Sequence, residues 1–422
     1  MTTPQHFSRP PAHAATPRAT ALHGPKFQHN PGQLYRDMRR QHGPVAPVLL
    51  DGDIPAWLVL GYRELLHVTG SPQLYARDPR RWNAWDRIPP DWPLLPLFAY
   101  QPSMLFAEGQ EHRRRAGAVS DALSQIDPFE LRLDCERIAD RLIDTFAGTG
   151  EADLTAQYAA PIPLLAVAKT CGMSDAGATT LVRDMGIAFD GGPDALEAFA
   201  RVRGAVAQLV DSRRAHPGPD VTSRLLGHPA ALTNDEIVND IVVVMNAGQL
   251  PTSAWIGNTV RLMLTDDRFA LALSGGRNSI GEALNEVLWE DTPTQNMAGR
   301  FATRDTSLGG QRIRAGDLLI LGLAAANADA GIRQNPCADS VGNRAHMSFS
   351  HGEHRCVYPA PELAEIIART AVEVLLDRLP DLTLAVSPDA LVWRPSVWMR
   401  GLSALPVQFT PTSAPSPAST EL

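Results

Sequence analysis

The residue types able to do redox or metal chemistry crowd most tightly in Phe349-Ser-His-Gly352-Glu-His354-Arg-Cys356, directly ahead of a helical run from Glu362 to Leu379. A thiol just before a helix N-terminus sits where backbone N–H groups and the helix dipole favour thiolate. Glycine at 352 lets backbone approach a flat ligand closely, and N–H groups aimed at the sulfur would temper its donor strength. Two other readings compete. A free loop cysteine is often simply buried. His346, His351, His354 and Cys356 also offer zinc ligands, but their spacing matches no common zinc finger.

A second group lies upstream. Thr233-Asn-Asp-Glu236 has the form of a capping box, opening a long apolar helix from Ile237 to about Leu264. Within it, Ala247-Gly248-Gln249-Leu250-Pro251-Thr252 combines small residues, an amide and a hydroxyl. Pro251 removes a backbone N–H, which predicts a kink there. Downstream, the carboxylate of Glu286 in Glu286-Val-Leu-Trp289 would be costly to bury without a cation nearby, since Trp289 offers only an N–H.

These groups need elements to position them. Val45–Leu60 alternates as two strands about a turn at Asp51-Gly52-Asp53, followed by a short helix over 61–69. Between 80 and 106, Trp82, Trp85, Trp92, Phe98 and Tyr100 alternate with Pro89, Pro90, Pro93, Pro96 and Pro102, so the rings belong to an irregular loop. They either line a pocket or anchor the loop. Helical spacing recurs over 111–123, 130–147 and 195–214. Residues 1–30 and 410–422 read as disordered tails around one continuous domain at 31–409. Net charge −8 argues against nucleic acid as partner, and 44% hydrophobic residues suit a globular body able to enclose a cofactor. Lys26 and Lys169 are the only lysines, a bias that suits a high-GC bacterial genome. Four scattered cysteines, without a CxxC pair or a secretory signal, point to the cytoplasm. The N-terminus has no apolar run able to span a bilayer.

The pattern Phe-x-x-Gly-x-His-x-Cys resembles the heme-binding loop of cytochrome P450 enzymes. The resemblance extends over about residues 31–409 and implies a mainly α fold with small β-sheets, a single domain with heme b between a distal long helix and a proximal Cys loop. It makes Cys356 the axial iron ligand and puts Phe349, Gly352 and His354 beside the porphyrin. His112 and Arg300 match residues that bind heme propionates, whereas Ala116 stands where the family has a second arginine. Ala247, Gly248, Gln249 and Thr252 resemble the oxygen-binding segment, but Leu250 and Pro251 replace the acid and alcohol that relay protons. Trp82, Trp85 and Trp92 fall in the family's distal cap. Gln295, Asn296, Met297, Val397 and Trp398 fall in its substrate-facing turns. The Gly- and Pro-bounded 195–214 helix falls where the family has a mobile lid. Glu286 and Trp289 occupy the place of the family's Glu-x-x-Arg, and Arg344 is the best match for the cation that would join Glu286. Glu-x-x-Trp resembles an actinobacterial subgroup.

What the resemblance implies is an oxidoreductase that activates dioxygen with electrons from ferredoxin and ferredoxin reductase, in a monomer without a membrane anchor. The missing relay pair and the aromatic cap put oxidative cross-linking of an aromatic, peptide-like substrate first. Hydroxylation of a small lipophilic or polyketide-type molecule is the alternative, and a non-catalytic heme or ligand-binding protein a further one. The arginine run 113–115 is expected to be a solvated face or part of a docking surface for an acidic redox partner.

Overall fold

The computed structural model describes residues 19–24, 27, 30–190, 194–266, 269, 278–332 and 343–412. Helices dominate. The longest, Asn234–Thr265, has 32 residues and begins with the expected capping box: Thr233 Oγ1 accepts from Glu236 N and Glu236 Oε2 accepts from Thr233 N. Losing such a cap costs about 1 kcal/mol. Most of this helix is apolar all round, and it is correspondingly buried from Ile237 to Met263. It runs unbroken through Pro251. Around it pack Pro128–Asp144, Pro161–Thr170, Ala195–Ala215, Asn278–Glu290 and Ala360–Arg378, which share one helical core with it.

The main sheet contains β1 (Thr20–Ala21), β2 (Val45–Leu50), β3 (Ile54–Val59), β4 (Tyr75–Ala76), β6 (Met297–Ala302) and β9 (Leu318–Leu321), in the order β1-β2-β3-β9-β6-β4. β5 (Glu151–Asp153), β10 (Thr383–Leu384) and β11 (Pro406–Gln408) form a second sheet, and β7 (Thr306–Leu308) with β8 (Gln311–Ile313) a hairpin. Strand alternation divides the main sheet as the period of two requires. Val48, Leu50, Ala56, Leu58, Phe301 and Ile320 face one core, while Val45, Val59, Ala302, Leu319 and Leu321 face another. The turn between β2 and β3 has Gly52 at φ 72°, a conformation that favours glycine.

The first core also takes Trp82, Trp92, Phe98 and Trp398. Residues 80–106 are irregular, as the prolines predict, with short turns at Pro79–Arg81 and Trp85–Arg87 and one four-residue helix at Leu95–Phe98. The ordered body begins earlier than residue 31: β1 pairs in parallel with β2, and Leu22 and Phe27 are buried. Residues 1–18 and 413–422 of the expected tails lie outside the described residues, as do Gly191–Pro193 before the expected lid helix. Among the described residues no helix is long and apolar enough to cross a membrane.

Candidate active site

A cavity of ≈ 440 Å³ lies between the long helix and the cysteine loop. On the loop side it is lined by Phe349, Ser350, His354, Arg355 and Cys356, and on the helix side by Ala247, Gly248, Pro251, Thr252 and Trp255. The loop is fixed by its own backbone: Cys356 N donates to Phe349 O at 3.0 Å and Arg355 N to Gly352 O at 3.2 Å. Gly352 does not line the cavity. It has φ 77°, and a Cβ there would stand 2.2 Å from Thr69 O, so the close approach it permits is to protein backbone and not to a flat ligand.

Burial pushes the Cys356 thiol up to about 12, the Glu362 carboxylate adds to this, and the Val357 N–H opposes it. The Val357 N–H acts in the direction the sequence leads one to expect, and burial outweighs it. A bound metal ion reverses that balance, because coordination deprotonates a thiol. Zinc is not supported: no group of three His, Cys, Asp or Glu side chains able to hold an ion occurs among the described residues. His346 instead packs edge-on against Trp289 and beside Phe349.

One flank of the cavity is cationic. Arg77 is 2% exposed, with Nε on Leu105 O (2.9 Å) and Nη1 on Ala298 O (2.8 Å) and Gly299 O (3.0 Å). Arg300 is equally buried; its Nη1 reaches only Gly299 O at 3.3 Å, and its Nη2 has no partner. Burial pulls Arg77 down to about 10, and it pulls Arg300 down further with the charge of Arg77 adding. Burial and the charges of Arg77, His112 and Arg300 hold the His354 imidazole well below its usual range. Cations this buried call for an anion. His112 lines the cavity, but Nδ1 faces Met104 O (3.0 Å) and Nε2 faces Glu353 O (3.1 Å), so the ring links helix to cysteine loop. A soft sulfur donor, an apolar chamber and buried guanidiniums fit heme: iron to Cys356, porphyrin to the chamber, carboxylates to the arginines. Arg77 escaped the sequence analysis because a lone arginine after a two-residue strand carries no pattern.

The remaining predicted site residues divide. Asn296, Met297 and Trp398 line the cavity. Trp82, Trp85 and Trp92 do not; they stack on one another and on Phe98, with Trp92 Nε1 on Asp51 O and Trp85 Nε1 on Pro79 O. They anchor the loop, and Phe98 and Phe106 are its rings that reach the chamber. Gln295 is also behind the wall, with Nε2 donating to Ser396 O (2.7 Å) and Met399 O (3.1 Å), and Val397 is absent from the lining. Gln249 is buried and is not among the lining residues. A Cβ on Gly248 would come within 2.9 Å of Val167, so helix packing as well as cavity space requires glycine there. Phe199, on the Ala195–Ala215 helix, is a lining residue the helical pattern did not reveal.

Beneath the loop, Arg344 pairs with Glu365 at 3.0 Å and not with Glu286; among the described residues no ion pair links Arg344 to Glu286. Arg344 is exposed, whereas Glu286 is 2% exposed, so the expected pair would have required the arginine to enter the core. Trp289 Nε1 donates to Asn343 O at 3.0 Å, and Asn327 joins Leu288 O, Thr292 Oγ1 and Met347 N. The arginine run is not a free basic face. Arg113 pairs with Glu353, Arg114 with Glu236, and Arg115 is wholly buried on Asp240.

No family model matches the chain. It is 30% identical to cytochrome P450 monooxygenase PikC of Streptomyces venezuelae, over 92% of each chain. It is 27% identical to polyketide biosynthesis cytochrome P450 PksS of Bacillus subtilis (strain 168), over 92% of this chain and 98% of that one. Its structure matches CYP154C4 from Streptomyces sp. ATCC 11861 with TM-score 0.84 and 28% identity, covering 93% of this chain and 98% of that chain. With a cysteine loop, a chamber and a cationic flank fitted to heme b, the chain belongs to the cytochrome P450 family of monooxygenase-type oxidoreductases.

Proposed function

We propose that this enzyme hydroxylates a largely apolar natural product, of the polyketide-type class, that carries one polar handle. The observation that carries this reading is a pair of unpartnered polar atoms on two lining residues. Asn296 and Trp398 both line the chamber and are buried, yet Asn296 Oδ1 and Trp398 Nε1 have no hydrogen-bond partner. Asn296 Nδ2 is already committed to Tyr35 Oη (3.0 Å) and Val397 O (2.7 Å), which leaves the oxygen as the free acceptor. A polar group of the substrate that reaches Asn296 Oδ1 or Trp398 Nε1 would give that atom its missing partner, while Phe98, Phe106, Phe199 and Leu97 enclose its apolar body. Relatives at 27–30% identity, one named for polyketide biosynthesis, agree with this class.

Bound heme supplies dioxygen activation. The residues supply its surroundings. Thr252 is the one alcohol that the long helix contributes to the lining, and no Asp or Glu lines the cavity among the described residues. Protons therefore pass through Thr252, ordered water or the substrate's own polar group. Electrons come from ferredoxin through its reductase; the exposed Arg355 and Tyr358 beside Cys356 supply a cation and a ring for an acidic partner.

Oxidative coupling of aromatic groups in a peptide-like substrate is the second reading, favoured by Leu250 and Pro251 where an acid and an alcohol would relay protons. Turnover with a surrogate ferredoxin and reductase separates the two by mass. Gain of one oxygen atom supports hydroxylation, and loss of two hydrogens without oxygen supports coupling. No turnover of either substrate class rejects both.

A further inference from the structure

We propose that Arg77 is the chain's second cation for the heme carboxylates, replacing the arginine absent at Ala116, and that it thereby fastens both ends of the cap loop to the bound cofactor. This rests on the heme reading of the site. Arg77 lines the chamber, and its hydrogen bonds use only Nε and Nη1, on neutral carbonyls. Nη2 makes no hydrogen bond to the described protein. Arg300, whose charge Arg77 opposes, has a free Nη2 as well. Neighbouring buried guanidiniums without a carboxylate between them repel each other. The lining provides no acidic side chain among the described residues, and heme brings two carboxylates, one for each arginine.

The loop consequence follows from connectivity. Arg77 leads into the 80–106 segment, and its Nε holds Leu105 O at the far end, 2.9 Å away. The same side chain closes the loop and lines the chamber. Holding an anion on Nη2 orients the fork and with it Leu105, so cofactor retention and cap order become coupled.

The test is a cycle of Arg77→Gln against masking of the propionates. Wild type and variant are each loaded with heme or with heme dimethyl ester, and cofactor release and hydrogen exchange over residues 78–105 are measured. With heme, Arg77→Gln releases cofactor roughly 10–100-fold faster than wild type, has a lower reduction potential, and exchanges faster across the loop. With the ester, the two proteins release at the same rate. An equal variant-to-wild-type ratio for both cofactors makes Arg77 purely structural and overturns the proposal; so does unchanged heme release. Should Arg77→Gln not fold, Arg77→Lys runs the same cycle, with a several-fold effect that the ester abolishes. Wild type that retains no heme overturns the heme reading itself, a distinct outcome read in the wild-type arm alone.

Discussion

Replacing Asp240 by Asn removes one charge from an ion pair whose members are both wholly buried. Arg115 Nε and Nη2 lie 2.9 and 2.8 Å from the two carboxylate oxygens, and Met104 N donates to Oδ1 at 2.6 Å. The pair thus joins the helix Gly109–Leu123, the long helix and the end of the cap loop. In Asp240→Asn, Arg115 remains buried with a neutral amide oxygen in place of the carboxylate, Pro102 O, Glu236 O and two distant carboxylates, Glu111 at 3.7 Å and Glu236 at 3.9 Å. An uncompensated buried charge costs about 3–5 kcal/mol, several times the ~0.2–1 kcal/mol of an exposed pair. Substituting both partners by apolar residues of similar volume (Arg115→Met with Asp240→Leu) removes that charge. It orphans Met104 N and Pro102 O at about 1–3 kcal/mol each. Equilibrium urea unfolding of the single and double variants measures both quantities. The expected outcome is strong non-additivity, the double costing less than the sum of the singles. A loss below ~1 kcal/mol in Asp240→Asn, or strict additivity, refutes the reasoning.

Three further outcomes are expected. Burial and the charge of Arg344 lower the His346 imidazole from 6.5 to about 4, so the unfolded chain binds the extra proton first. Its contribution is present above pH 6.5 and lost as pH falls towards 4; His346→Phe keeps the packing and flattens that part of the stability profile measured by thermal unfolding, whereas an unchanged slope contradicts this. Gly352→Ala forces a Cβ to within 2.2 Å of Thr69 O at φ 77°, so the purified variant should hold much less heme per chain; full occupancy would show that the loop yields. Trp398→Phe keeps an aromatic ring and deletes the unpaired N–H, weakening substrate binding roughly 2–10-fold in spectral titrations while the heme spectrum stays unchanged. Equal affinity would remove Trp398 as the polar contact.

The long helix, the 360–378 helix and the β2–β3 pair were legible because each rests on local signals: a capping box, three-to-four spacing, period-two alternation about a turn. The cysteine loop was legible because several of its residues share one short stretch. What was missed depends on contacts between distant segments. Nothing in the run 113–115 distinguishes the buried Arg115 from the exposed Arg113; Asp240, on another helix, makes the difference. The Trp-rich loop declared aromatic content but not orientation, and Trp82, Trp85 and Trp92 turned to each other and to backbone carbonyls. Gly352 reads in the sequence as ligand space because glycine at such a position signals close approach, yet sequence does not say to what, and the neighbour is Thr69 O. The partner of Arg344 was misjudged for a related reason: the choice between Glu286 and Glu365 is one of burial, and an exposed arginine takes the carboxylate it reaches without desolvation.

The central claim is that Cys356 sulfur ligates the heme iron. The reduced carbonyl spectrum of the purified protein tests it most directly, with Cys356→His alongside. Thiolate ligation predicts a Soret band strongly shifted to the red in wild type, and loss of that shift in Cys356→His with heme still present. A wild-type spectrum without the shift, or a Cys356→His protein that keeps it, contradicts the account.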